Sequence, residues 1–340
     1  MLSYIKVQGA PFEVGRTLGR FGAEAAHGHL VHSDAWATVM QWRNSPEALA
    51  MAALVQQYFP RIREELDGLA EGLDLPVDDI FLWNCRGDLW AMAPDGCTTV
   101  QLPLENGARI THNEDGDPGF RDCCGIAEIS VQDGASFASF VYPASIPGHT
   151  FAVTQAGLAM TVNNIRSRQV QTGLPRMVLS RALLDLDSLA AAVALLRKLP
   201  RAGGFHLSLA QQGIPGLLGI EFNSHGVSAE AINAPSLHAN HAVHKLMRDF
   251  AQVVTPSSLH RQLRGDALLG VSLHAVDPLA ILADQQNVEF PIYRDSSDDS
   301  DIENTMATAD IRVEADRIRW QVYEHPGQAA RYEFINGKLA

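Results

Sequence analysis

The stretch Ala93-Pro94-Asp95-Gly96-Cys97-Thr98-Thr99-Val100 marks an abrupt change in the character of the chain. The residues before it are rich in Ala, Leu, Glu and Arg, whereas short β-branched runs separated by Gly and Pro follow it. This pattern predicts a loop that leads into a strand, with Cys97 at the junction. By itself the cysteine is a weak sign of chemistry, because free cysteines are often simply buried in a protein core.

The segments on the two sides of this stretch predict different secondary structure, with a mostly helical part before it. Helical patterns cover residues 11–32, 47–73, 77–92, 175–199 and 257–269. Strand patterns cover 97–102, 109–112, 126–131, 136–142, 151–154, 157–163, 205–210, 217–223, 227–232, 305–313, 317–323 and 330–335. Because strands and helices do not alternate regularly, we predict an α+β fold in which two sheets pack together with helices outside, rather than a doubly wound sheet.

The composition is that of an ordinary globular protein, with 46% hydrophobic and 19% charged residues. A net charge of -13 argues against a nucleic-acid partner. No run approaches the roughly 18 apolar residues of a membrane span, and the first ten residues lack a secretory pattern. We therefore expect no membrane partner and a cytoplasmic location. The four cysteines, Cys85, Cys97, Cys123 and Cys124, include no C-x-x-C pair, and we expect no disulfide scaffold, no metal and no cofactor.

Asp95-Gly96-Cys97-Thr98-Thr99, after a helical segment of this length, resembles the processing site of the acyl-CoA:6-aminopenicillanic acid acyltransferase family, which includes the isopenicillin N acyltransferases. Four further segments resemble motifs of this family in the same order. They are Gly9-Ala10-Pro11-Phe12-Glu13-Val14-Gly15, Asn113-Glu114-Asp115, Gly157-Leu158-Ala159-Met160-Thr161-Val162-Asn163-Asn164 and Leu237-His238-Ala239-Asn240-His241. Each is short, but together they extend the resemblance over most of the chain.

The resemblance implies the four-layer αββα sandwich of the cysteine-type N-terminal-nucleophile hydrolases. It also implies that the bond between Gly96 and Cys97 cuts itself. Residues 1–96 would then be a small subunit and residues 97–340 a catalytic large subunit, which remain one folded unit as a heterodimer. Gly96 suits this step because a residue without Cβ tolerates strained backbone angles and lets the Cys97 thiol approach its carbonyl closely.

A cysteine at the start of a chain has a base of its own. The thiol must become a thiolate to react, and an α-amino group with a pKa of about 7.7–8.0 is partly neutral at working pH. Cys97 would attack an amide or thioester carbonyl, and the acyl-enzyme would pass its acyl group to water or to an amine. The resemblance assigns Asn240 to stabilising the oxyanion and Asp115 to orienting the amine or assisting the cut.

Four residues are candidates for binding the substrate. Asn163 and Asn164 would shape the pocket, although hydrogen bonds at a strand end would explain them equally well. Arg166 and Arg168, with Arg176 nearby, could bind a substrate carboxylate, although each could also lie at the surface. The expected substrates are small N-acyl compounds, with acyl-CoA as one candidate acyl donor. Hydrolysis is the safer prediction, and transfer to an amine stays open.

Two segments depart from the family pattern. Residues 202–206 offer glycine where relatives commonly carry serine, and Glu303-Asn304-Thr305 stands where an arginine is expected. These departures bear on the acyl acceptor and on the charge of the substrate rather than on the nucleophile. The acidic run 295–303, which contains Glu303, predicts a solvated loop rather than a calcium site.

Two other functions fit parts of the sequence. A metal-dependent hydrolase would use His238, His241 and His244, whose three-residue steps would place them on one face of a helix. No H-E-x-x-H motif and no obvious carboxylate ligand accompanies them. A non-catalytic binding protein on the same fold is the third possibility, against which the Cys97 motif argues. Cys85 is expected in the core, and Cys123 and Cys124 are expected to be structural.

Overall fold

The computed structural model describes residues 1–94, 96–169, 171–271, 277–296 and 301–340. The part before residue 95 contains one strand and then helices. Its elements are β1 (Ser3–Gly9), α1 (Pro11–Gly28), α2 (Asp34–Met40), α3 (Pro46–Tyr58), α4 (Pro60–Leu73), α5 (Val77–Trp83) and α6 (Arg86–Leu89). The prediction of a mostly helical part is confirmed, but β1 was not predicted.

Strands prevail from residue 96 onward. The strands are β2 (Gly96–Leu104), β3 (Gly107–Gly116), β4 (Gly125–Val131), β5 (Ser136–Val141), β6 (Phe151–Thr154), β7 (Leu158–Ile165), β8 (Gly204–Gln211), β9 (Ile214–Phe222), β10 (Val227–Ala231), β11 (Ser236–His238), β12 (Asn304–Val313), β13 (Ile318–Tyr323), β14 (Tyr332–Ile335) and β15 (Lys338–Leu339). The helices are α7 (Arg176–Leu183), α8 (Leu189–Lys198), α9 (Pro256–Val271) and α10 (Pro278–Leu282). The strand and helix predictions in this part are confirmed to within a few residues, whereas β11, β15 and α10 were missed.

The strands of the described residues form two sheets. The large sheet has eight strands in the order β1-β4-β5-β6-β7-β8-β9-β10, and the small sheet has seven in the order β11-β2-β3-β12-β13-β14-β15. Strands β2 and β3 of the small sheet contact β7 and β9 of the large sheet. Helices α1 and α8 contact the large sheet, and α9 and α10 contact the small sheet. The fold is therefore α+β with two facing sheets and helices, as predicted.

Helices α1 and α4 lie unusually close together because glycines stand where they cross. A Cβ on Gly15 of α1 would lie 1.8 Å from the backbone oxygen of Glu65. A Cβ on Gly68 of α4 would lie 2.0 Å from the backbone oxygen of Phe12. Backbone atoms cannot yield as a flexible side chain can, so no larger residue fits. Gly15, the last residue of the first family-like motif, therefore has a packing role.

The first 94 residues are joined to the rest of the protein by buried polar contacts. β1 pairs in parallel with β4 from Ser3 opposite Gly125 onward. Glu65 on α4 and Arg181 on α7 form an ion pair of 3.0 Å in which both side chains are almost wholly buried. Unpaired, either charge would be costly in such a place. Each helix of the described residues is too short or too polar to span a bilayer.

Candidate active site

The pairing of β2 with β3 determines which residues lie next to Gly96 and Cys97 at the centre of the site. Gly96 lies opposite Asp115, and Cys97 lies opposite Glu114. Side chains alternate between the two faces of a strand, so neighbours in sequence point to opposite faces. Cys97 therefore shares a face with Glu114, whereas Asp115 lies on the other face beside Gly96. Asp95, the first residue of the motif Asp95-Gly96-Cys97-Thr98-Thr99, falls outside the described residues.

Cys97 is 3% exposed and has a partner at each polar atom of its backbone. Its N–H donates to Asn240 Oδ1 at 3.0 Å, and its carbonyl oxygen accepts from Arg261 Nη1 at 2.6 Å. The thiol lies 3.7 Å from Glu114 Oε2, within the range of a sulfur hydrogen bond. These contacts hold Cys97 firmly in a buried site.

The orientation of the Asn240 amide follows from its donors. Its Oδ1 accepts from the Cys97 N–H and from Arg261 Nη2 at 2.7 Å, while its own backbone N–H donates to Ser258 Oγ at 2.9 Å. The Nδ2 group then points elsewhere and makes a long contact of 3.4 Å with the Asn164 carbonyl oxygen. Asn240 can therefore bind the Cys97 nitrogen through its oxygen and still offer an N–H to a developing oxyanion.

A buried group of charges surrounds Gly96 on the Asp115 face of β2. Arg294 Nη1 lies 2.8 Å from Glu303 Oε2 and 3.6 Å from Asp115 Oδ2. Arg166 Nη2 reaches the other oxygen of Glu303 at 3.3 Å. Burial raises the pKa of Glu303, and the two arginines oppose that rise. Asp115 also accepts from the Thr305 hydroxyl at 2.6 Å.

The position of Glu303 corrects the expectation for the acidic run. Residues 297–300 of that run lie outside the described residues, but Glu303 at its end is buried and bonded to two arginines rather than solvated. Its Oε2 would lie 2.1 Å from a Cβ at Gly96. A side chain at position 96 would therefore displace this carboxylate and disturb its ion pairs, and no sequence pattern indicated this contact.

Three of the four substrate-binding candidates are buried near the motif, and the fourth is exposed. Asn163 accepts from the Thr99 hydroxyl at 2.7 Å and donates to the His238 carbonyl oxygen at 3.0 Å. Asn164 contacts Asn240, and Arg166 belongs to the charge group beside Gly96. Arg168 is exposed and donates to the Gln252 carbonyl oxygen at 3.0 Å. Arg176, the further candidate, is buried and donates to the Gly204 carbonyl oxygen at 3.1 Å.

The helical face proposed for three histidines is wrong. His238 ends strand β11, and no helix of the described residues contains His241 or His244. His238 Nε2 lies 2.9 Å from Glu221 Oε1, and His241 Nδ1 lies 2.8 Å from Ser258 Oγ. Three-residue steps in extended and turning chain send the side chains in different directions, which removes the geometric basis of that metal site.

Another group was missed by the sequence reasoning. The ligand-type atoms of Cys97, His112 and Glu114 lie within 4.8 Å of one another. The short contacts among them are hydrogen bonds, since His112 Nε2 lies 3.1 Å from Glu114 Oε2. His112 Nδ1 lies 2.8 Å from Thr99 Oγ1. Burial lowers the pKa of His112 to about 3. Glu114 belongs to the family-like motif Asn113-Glu114-Asp115. Had the pairing of β2 with β3 been known, the alternation of side chains along the two strands would have predicted that Glu114 lies beside Cys97.

His206 should make the stability of the protein depend on pH. Its ring is stacked on that of His238 with centroids 3.6 Å apart. Burial lowers its pKa well below 6.5, and His238, His244 and His112 lower it further. The unfolded chain binds a proton near pH 6.5 that the folded chain does not. The free energy of unfolding should therefore fall by up to about 1.4 kcal/mol per pH unit below that value, through this group.

This pH dependence is tested by measuring the melting temperatures of the wild type and of His206→Gln at pH 7.5 and at pH 5. Other buried groups also titrate, so the difference between the two proteins is the quantity of interest. We expect the melting temperature of the wild type to fall more steeply with acid than that of the variant. Equal slopes would contradict the assignment.

Comparison with known proteins places the chain among enzymes that transfer acyl groups or hydrolyse amides. Residues 104–325 match the sequence model of the family described as acyl-coenzyme A:6-aminopenicillanic acid acyl-transferase, and the chain belongs to that family. The resemblance stated from the motifs is thereby confirmed, as is the prediction of an enzyme. The matched range begins after Cys97.

Two relatives illustrate the range of the similarity. The acyl-coenzyme A:6-aminopenicillanic-acid-acyltransferase 40 kDa form of Emericella nidulans is 25% identical over 257 residues, which cover 71% of this chain and 69% of the relative. The beta-alanyl-dopamine/carcinine hydrolase of Drosophila melanogaster is 23% identical over 215 residues, or 56% of each protein. One name describes a transferase and the other a hydrolase.

Proposed function

We propose that this protein is a self-processing N-terminal-nucleophile enzyme whose nucleophile is Cys97. The observation that carries the proposal is the pair of contacts on the backbone of this residue. Asn240 Oδ1 holds the nitrogen that would become the new α-amine, and Arg261 holds the carbonyl oxygen that follows it. A cysteine that served only as packing would not need its chain atoms fixed by two buried polar side chains.

The first reaction is the cut between Gly96 and Cys97. The thiol attacks the Gly96 carbonyl carbon, the amide bond breaks, and a thioester joins Gly96 to the Cys97 sulfur. Water then hydrolyses the thioester, which frees the thiol and the amine. Because Cys97 is buried before the cut, freeing the chain end at Gly96 from Cys97 also opens the site, as in a zymogen. Residues 1–96 and 97–340 are the resulting small and large subunits, held together as a heterodimer.

Turnover repeats the same chemistry on a substrate. The free amine of Cys97, kept in place by Asn240 Oδ1, takes the thiol proton while the sulfur attacks an amide or thioester carbonyl. Asn240 Nδ2 is a donor for the oxyanion. Asp115 lies opposite Gly96 on the neighbouring strand β3, and its contacts with Arg294 and Thr305 hold its carboxylate in place there.

The substrates are proposed to be small N-acyl amides or acyl thioesters, with acyl-CoA among the candidates. The names of the two relatives support this class, and they leave open whether water or an amine receives the acyl group. Asn163 contacts Thr99, Asn164 contacts Asn240, and Arg166 contacts Glu303. These contacts support a part for the three residues in the acyl pocket, and Arg168 would contribute only at its outer rim.

The contacts of the helices support a four-layer αββα arrangement for the fold. Helices α1 and α8 contact one sheet, α9 and α10 contact the other, and the sheets contact each other. Cys97 is the second residue of β2, a strand of the small sheet that contacts the large sheet.

Intact mass measurement of the purified protein tests the cut. In proportion to its 96 of 340 residues, the small fragment of this 37.0 kDa chain should weigh about 10 kDa and the large one about 27 kDa. N-terminal sequencing of the large fragment should begin Cys-Thr-Thr. A wild-type chain that stays whole and is fully active would contradict the proposal. Assays with N-acyl amides in water, and with acyl-CoA plus amines, would separate hydrolase from transferase.

A further inference from the structure

We propose that Glu114 and His112 form the proton relay that activates the Cys97 thiol in the uncut chain. The inference rests on the proposed function, because it concerns the step that cuts the bond between Gly96 and Cys97. It supplies a base for that step, because the free amine of Cys97, which acts as the base in turnover, does not exist before the cut.

The need for a separate base follows from the state of the Cys97 nitrogen. Before the cut this nitrogen belongs to a peptide bond, whose resonance withdraws its lone pair. It also donates its hydrogen to Asn240 Oδ1. It therefore cannot accept a proton from the thiol. The sulfur attacks efficiently only as a thiolate, and the thiol lies 3.7 Å from Glu114 Oε2, within reach of a proton acceptor.

The hydrogen bonds on the far side of His112 determine where its proton lies. Asn163 donates its Nδ2–H to the His238 carbonyl oxygen at 3.0 Å, so its Oδ1 faces Thr99. The Thr99 hydroxyl donates its single hydrogen to that oxygen at 2.7 Å. Thr99 Oγ1 then has only lone pairs for the ring, and His112 Nδ1 must carry a hydrogen to make its contact of 2.8 Å.

This arrangement leaves one proton between Glu114 and His112. A neutral ring with its hydrogen on Nδ1 has a lone pair on Nε2, and Glu114 Oε2 lies 3.1 Å away. A hydrogen bond at that distance requires a proton on one of the two atoms. Burial, which lowers the pKa of His112 to about 3, keeps the ring neutral at rest, so the proton sits on the Glu114 carboxyl group. The pair as a whole is uncharged.

Oε2 of Glu114 then has a thiol on one side and an imidazole nitrogen on the other. It accepts from the Cys97 S–H and donates to His112 Nε2. When the sulfur attacks, the thiol proton moves to Oε2 while the proton already on Oε2 moves to Nε2. The products are a thiolate and an imidazolium, with Glu114 still neutral, so no net charge is created in the buried site.

The remaining atoms balance as the thioester forms. The S–C bond forms to the Gly96 carbonyl carbon, and the C–N bond to Cys97 breaks. The nitrogen leaves as an amine and needs one proton, which Glu114 returns while His112 gives its extra proton back to Glu114. Sulfur and nitrogen are three bonds apart in one residue, so the same carboxyl group serves both. Two titratable groups lie near this pair. Besides burial, His112 lowers the pKa of His206, and Glu114 raises the pKa of Cys124.

The test is a time course of self-cleavage in full-length Glu114→Gln, followed by intact mass. Glutamine keeps the shape and polarity of the side chain but cannot pass a proton through its oxygen. We expect cutting to slow by about 10²–10⁴-fold near pH 7. Between pH 6 and pH 8 the residual rate should rise nearly tenfold per unit, because solvent hydroxide must now form the thiolate. The wild-type rate should change much less. Glu128→Gln, on β4, is the matched control and should cut like the wild type.

Hydroxylamine separates this inference from a later role of Glu114. It cleaves thioesters, so a variant blocked before thioester formation gains nothing from it. If Glu114→Gln accumulates a thioester that hydroxylamine releases, or cuts at the wild-type rate with the wild-type pH profile, the relay is refuted. If Glu114→Gln does not fold, as judged by its melting temperature, His112→Gln tests the same relay and should show the same slowing. A wild-type chain that never cuts would instead refute the proposed function, and the relay with it.

Discussion

Cys97→Ala should leave the chain whole at 37.0 kDa and without activity toward any acyl substrate. Alanine has no atom that can attack the Gly96 carbonyl carbon, so neither the cut nor the acyl-enzyme can form. Removing the nucleophile of a comparable hydrolase lowers turnover by about 10⁶-fold, and we expect a loss of at least about 10⁴-fold here. The measurements are a denaturing gel and steady-state assays with N-acyl amides.

The matched control for this variant is Cys123→Ala. Cys123 is a free cysteine, half-buried, and it is not among the residues placed around Cys97. This variant should cut and turn over like the wild type. Full cutting by Cys97→Ala would rule out the nucleophile, whereas an uncut Cys123→Ala would show that the fold rather than the chemistry had been disturbed.

Gly96→Ala should also block the cut, for a steric and electrostatic reason. The added Cβ would lie 2.1 Å from Glu303 Oε2 and 3.0 Å from Arg294 Nη1. Glu303 cannot swing away without losing Arg166 and Arg294, which hold its two oxygens. Overpacking of this kind costs about 1–3 kcal/mol of stability. A displacement of the scissile carbonyl by about 1 Å costs about 10²-fold in rate, which should be visible in a cleavage time course.

Gly28→Ala is the control for the glycine substitution. It ends α1, and a Cβ there would meet no atom within 4 Å. It should cut at the wild-type rate and unfold at a similar or slightly higher temperature. If Gly96→Ala cuts at the wild-type rate, the Glu303 carboxylate moves freely. The close packing of charged groups beside the bond between Gly96 and Cys97 would then have no part in the reaction.

The sequence was a good guide to local structure and to the motif, and a poor one to the site around it. Period-two and helical patterns predicted nearly all of β2–β10 because each run carries its own pattern of apolar residues. β1 was missed because it is a half-exposed edge strand whose partner β4 lies far along the chain. The prediction of two sheets with outer helices depended only on element order and held.

The residues missed at the site are those that only tertiary structure brings there. Arg261 comes from α9, and Arg294 and Glu303 flank residues outside the described ranges. Nothing in the segments of Arg261 and Arg294 distinguishes them, and Glu303 was noted only as a departure from the family pattern, at the end of a run with the composition of a solvated loop. Glu114 is different, since it lies beside Asp115 in a recognised motif. Its position next to Cys97 depends on the register of β2 and β3, which single-sequence patterns do not specify.

The buried ion pair between Glu65 and Arg181 has a consequence for the order of the folding reaction. It crosses between the two proposed fragments, as does the pairing of β1 with β4. While the chain is whole, forming these contacts is a first-order process that does not depend on concentration. After the cut the same contacts join two molecules, so reassembly from the denatured state becomes second order. The mature enzyme would then persist because it unfolds slowly rather than because it refolds readily.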